Sequence, residues 1–114
     1  MKRLGLVVFA TFVLIAPGAQ AITCDDFESL LRKQATEMRK FSTRYEAIEG
    51  DYLALCLLGR EEGLPYLRAV TESLTRFTDC ALSANTAKKA IAYNQMVIAL
   101  VEKNTARDCK AAGM

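Results

Sequence analysis

The sequence predicts an all-α fold, a small antiparallel bundle of three main helices and one short connecting helix, stapled by disulfides. Three observations lead there. Beyond residue 21 the apolar residues recur at spacings of three and four, and no alternating strand run appears. Four cysteines, Cys24, Cys56, Cys80 and Cys109, are spread through the last 93 residues. The chain opens with the features of a secretory leader, which puts those cysteines in an oxidising space, where an even count in a short chain reads as two bridges.

The leader is read from three parts. Met1-Lys2-Arg3 is a basic head, residues 4–16 (LGLVVFATFVLIA) are an uncharged apolar run, and Ala19-Gln20-Ala21 has the small-residue pattern of a cleavage site. The run has 13 residues, too few for a hydrocarbon core that needs about 20. Residues 1–21 are therefore expected to be a cleaved signal peptide and 22–114 a single helical domain in the periplasm or secreted. Thr23 directly before Cys24 is a poor match to a lipoprotein site.

In the domain, Thr23 with Asp26 resembles a capping box. From there Phe27, Leu31, Gln34, Met38, Phe41, Tyr45, Ile48, Tyr52 and Leu55 follow a heptad seam with one polar slot. Gly50 lies inside the pattern and is a candidate corner. Gly59 reads as a helix C-cap, with a polar loop behind it. A helix starting near Leu64-Pro65 carries Leu67, Val70, Leu74, Phe77 and Ala81 as its buried stripe. Residues 83–85 form a tight connection, and the last helix runs from about Thr86 to Cys109. Its middle, 93–101 (YNQMVIALV), is apolar on most faces, the mark of a central helix. Met38 and Met96 read as core filler.

Helix lengths decide the bridges. One straight helix over 25–58 spans about 50 Å and leaves Cys24 about 28 Å from Cys80, whereas bridged Cα atoms lie within about 7 Å. Breaking the helix at Gly50 equalises helices 25–49 and 85–109. A short helix 51–58 then crosses the top and 64–82 runs down. Cys24 meets Cys80 at the bottom and Cys56 meets Cys109 at the top, so the bent bundle is preferred. The straight helix would leave Cys24 free or paired between chains in a dimer.

Composition narrows the function. Without Lys2 and Arg3 the chain has as many acids as bases, and a neutral domain has no electrostatic reason to seek nucleic acid or anionic lipid. Residues 22–51 carry seven acids and five bases; residues 85–114 carry two and five. There is no histidine, which removes Ser-His-Asp and Cys-His catalysis. No phosphate-binding glycine loop occurs, and Glu46/Glu49 and Glu61/Glu62 read as solvated surface rather than a carboxylate pair across a cleft. No enzyme activity, cofactor or metal is expected.

The segment 52–58 (YLALCLL), followed by Leu64-Pro65-Tyr66-Leu67, is too apolar for a short surface helix. It is either a lid over the core or an exposed partner site with Tyr52, Leu53, Leu57, Arg60 and Tyr66 as contact residues. The expected function is binding of another exported or periplasmic protein, as inhibitor, immunity protein or accessory subunit, by a monomer or homodimer with no stable membrane insertion. Residues 23–27 (TCDDF) resemble the start of the periplasmic acid-stress chaperones of the HdeA type, small, exported, helical and disulfide-containing proteins; the resemblance covers five residues. An acid-switched holdase chaperone is the alternative function: loss of charge from the acids of 22–51 would leave a self-repelling cationic chain.

Overall fold

The computed structural model describes residues 23–114. The expected signal peptide and its cleavage site lie outside the described residues. Four α-helices follow one another: α1 (Phe27–Ala47), α2 (Tyr52–Leu58), α3 (Leu64–Leu74) and α4 (Ala84–Ala111), with no strand among the described residues. Disulfides Cys24–Cys80 and Cys56–Cys109 staple the two ends, with Cα separations of 5.8 and 4.7 Å. The predicted fold class and both pairings hold.

The chain enters through a 3-10 turn, Cys24–Asp26, closed by a capping box. The Asp25 N–H donates to Thr23 Oγ1 at 3.3 Å, and the Thr23 N–H donates to Asp26 Oδ2 at 2.7 Å. α1 then runs to the corner at Gly50, whose φ of +89° is a left-handed conformation that only glycine adopts without strain. The heptad seam ends there. Phe27, Leu31, Gln34, Met38, Phe41, Tyr45 and Ile48 are half-buried, whereas Tyr52 points into solvent. Asp51 caps α2 by accepting from the Ala54 N–H at 3.1 Å.

Residues 59–63 correct the expectation of a C-cap and a polar loop. They form a π turn, in which the Leu64 N–H donates to the Gly59 carbonyl five residues back, and the backbone passes from α2 into α3 without leaving the helical region. The short helix Tyr52–Leu58 is present as expected, but no loop follows it: it leads through the π turn into α3 as the first two turns of one long descending rod. Two residues account for this. Pro65 has no N–H to donate to Glu61, and its ring would crowd that carbonyl in a regular α-turn, a strain that a wider turn absorbs. Gly59 lies where the rod crosses α4: a Cβ built on it would sit 2.1 Å from Thr105 Oγ1. The glycine is there for close approach, not for termination.

Leu67, Val70, Leu74 and Phe77 are buried as expected. Ala81 is exposed, because the rod tightens into a 3-10 turn at Thr75–Asp79 and Cys80 takes the inward place. Phe77 packs on Phe27 with ring centroids 5.2 Å apart, beside the Cys24–Cys80 bridge. The buried apolar residues come from 56–80 plus Ala87; α1 supplies none. The polar slot of the seam is answered in α4. Gln34 and Asn94 exchange two side-chain hydrogen bonds, 2.8 and 3.2 Å long, and Asn94 is buried.

Candidate protein-interaction surface

Two apolar regions of the surface are built by the helices just described. The first lies at the top. Tyr52, Leu53 and Leu57 of α2 are 50%, 50% and 36% exposed, because α2 turns only Cys56 and Leu58 fully inward. Beside them a groove of about 620 Å³ runs between α1 and α2, floored by Ala47, Ile48, Ala54 and Leu58. Arg44 and Glu62 wall it with a two-pronged ion pair, Nη1 to Oε1 and Nη2 to Oε2, each 2.9 Å. That hydrogen-bonded pairing raises the Arg44 pKa and holds the Glu62 carboxyl below its ordinary value.

The sequence-predicted contact residues divide here. Tyr52, Leu53 and Leu57 come together, and Arg60 follows in the π turn, exposed and 3.7 Å from the Glu61 carboxylate. Tyr66 is carried away from them. It sits 14 residues from Tyr52 on the rod, roughly 20 Å along the axis, half-buried with its ring 5.7 Å from that of Phe41. Burial first, and the charge of Glu37 second, raise its phenol pKa.

The second region is not among the contact residues expected from the sequence. Along α4, Tyr93, Met96 and Leu100 are 61%, 68% and 58% exposed. At about 100° per residue they share the face opposite Ala87, Asn94 and Thr105, the buried side. The apolar stretch 93–101 is thus not a sign of a helix covered all round, and Met96 is not core filler. Among the described residues nothing lies over the outer face of α4. Its signal was present: in α4 the apolar spacing 93, 96, 100 runs alongside the inward set instead of replacing it. Next to the stripe a groove of about 340 Å³ separates α4 from α1, lined by Leu31, Ala35, Met38, Tyr93 and Val97.

Buried polar chemistry is sparse. Asp108 is buried in α4, with Arg107 Nε 3.7 Å from its carboxylate. The Tyr45 hydroxyl is buried without a hydrogen-bond partner, packed under Gly63; desolvation, and then the charge of Asp108, raises its pKa. Among the described residues no three His, Cys, Asp or Glu side chains converge as a metal site requires, and no helix is long and apolar enough to cross a membrane. All four cysteines are bridged.

A scan against models of protein families, a search of curated proteins and a search of solved structures each return no match.

Proposed function

We propose that this protein works in an oxidising compartment outside the cytoplasm as a non-catalytic binder of another protein. The observation that carries this reading is the exposed stripe Tyr93, Met96 and Leu100, three large apolar side chains each more than half exposed on one face of a helix. Scattered surface apolar residues need no explanation, but a contiguous set does, and tyrosine and methionine are enriched at interfaces. The two disulfides support the choice of compartment. Cys56–Cys109 also ties the C-terminal end of the helix that presents the stripe to the rod, which lowers the ordering cost of binding. Tyr52, Leu53 and Leu57 form a second contact area at the top.

The test is partner capture by a tagged chain in its own compartment. Met96→Asp with Leu100→Asp should abolish capture while circular dichroism and thermal unfolding stay unchanged, since neither side chain is buried. Unchanged capture by the folded variant would reject the face. Tyr52→Ala with Leu57→Ala tests the second area in the same way.

One observation favours a second reading, the acid-switched holdase. α1 contributes no fully buried residue and is tied to the rod by the Arg44–Glu62 pair. Protonation of Glu62 would loosen that tie and uncover the α1–α4 groove. Suppression of client aggregation in light scattering at about pH 3 is the expected result, and no suppression at several-fold excess would end this reading.

A further inference from the structure

The charges that frame the α4 stripe identify the partner's chemistry. Lys89 and Lys103 continue the three-four spacing of Tyr93, Met96 and Leu100 at either end, about 21 Å apart along the helix. Lys88 lies beside the first and Arg107 and Lys110 beyond the second, all exposed. None of the ion pairs among the described residues involves Lys88, Lys89, Lys103 or Lys110. The two acids of α4 do not offset them: Glu102 is engaged on the flank by Arg68, and Asp108 is buried. The outer face of α4 is therefore an apolar centre between two cationic ends.

A second copy does not fit this face. Antiparallel pairing centred on Met96 sets Lys89 against Lys103, and parallel pairing sets each lysine against itself; both juxtapose like charges. An anionic bilayer fits less well than a protein. The concave α1–α4 groove beside the stripe asks for a side chain that a flat lipid surface does not supply.

Resting on the binding reading above, we infer that the α4 face receives an acidic amphipathic helix of the partner: about four turns long, apolar at heptad positions, with carboxylates at both ends to meet Lys89 and Lys103. The apolar seam supplies the contact area, and the flanking charges set register and speed encounter.

The probe is a capped helical peptide of about 16 residues with leucines at three-four spacing and glutamates at both ends. Its control is the same peptide with lysines at the ends. Each is titrated into the oxidised, isotope-labelled protein and followed by amide chemical shifts at low salt. Shifts confined to residues 89–103, with about tenfold tighter binding of the glutamate-ended peptide, are expected; Lys89→Glu with Lys103→Glu should reverse the preference. Equal affinity for both peptides, shifts centred elsewhere, or binding to phosphatidylglycerol vesicles in place of the peptide overturns the inference. If it falls in this way while Met96→Asp with Leu100→Asp still abolishes partner capture, the binding reading survives and only the acidic-helix inference is lost.

Discussion

Replacing Gly59 with alanine tests the packing that aligns the rod with α4. The new Cβ would lie 2.1 Å from Thr105 Oγ1 and 3.1 Å from Thr105 Cβ and Cγ2. Relief requires a shift of more than 1 Å for the hydroxyl and a few tenths of an ångström for the two carbons. The Cys56–Cys109 bridge, one turn away on both helices, limits how far the pair can separate. Overpacking of this kind costs about 1–3 kcal/mol, and the better helix propensity of alanine returns about 1 kcal/mol. The net loss is about 1 kcal/mol, a fall in Tm of about 4–8 °C for a domain this size. Thr105→Ala removes the obstructing hydroxyl and methyl, so Gly59→Ala made in that background should be neutral or stabilising. The double-mutant cycle, read by guanidinium unfolding of the oxidised protein, should give a coupling of about 1–3 kcal/mol. Additivity within about 0.5 kcal/mol would refute the close approach of the two helices and, with it, the requirement for glycine at position 59.

Three further outcomes follow from the same structure. Gln34→Leu leaves the buried Asn94 amide unpartnered and should cost about 1–3 kcal/mol in denaturant unfolding, whereas Gln34→Leu with Asn94→Leu should recover most of the loss. Each disulfide closes more than 50 residues and stabilises by about 4 kcal/mol in the chain-entropy model. Because α1 has no buried residue, Cys24→Ser with Cys80→Ser should collapse hydrogen-exchange protection in α1 while α3 and α4 keep theirs; a uniform loss would show that α1 unfolds only with the whole. Arg44 depresses the Glu62 pKa in the folded state, so the pair's contribution is complete above the ordinary glutamate range and is lost as pH falls through the lowered value. Glu62→Gln should flatten that acid limb in a pH series of thermal melts and change nothing at neutral pH beyond the loss of an exposed pair.

Much of the fold is legible in the sequence because two constraints agree. The heptad seam sets where α1 lies, and a bend at Gly50 lets all four cysteines meet. What stays hidden depends on helix-to-helix distance. Gly59 and Gly63 around three charged residues carry the local signals of a helix end, yet the neighbour Thr105 and the missing N–H of Pro65 decide the outcome, and neither reads as a continuation signal. The same limit applies to the surface. Tyr52, Leu53 and Leu57 are legible as too apolar for their position, but Tyr66 belongs with them only if a loop intervenes, and a continuous rod separates them. The α4 stripe is visible in the sequence as the spacing 93, 96, 100 but reads as core, because apolarity on most faces suggests coverage on most faces, whereas with three main helices α4 keeps one face open.

The binding claim is tested most directly by site-specific photo-crosslinking in the producing cell, with a benzophenone side chain placed at Met96 and, as control, at Arg76 on the 3-10 turn at the end of the rod. One discrete adduct from position 96 and none from position 76 is the expected result. No adduct at 96, or the same adducts from both positions, would contradict the claim.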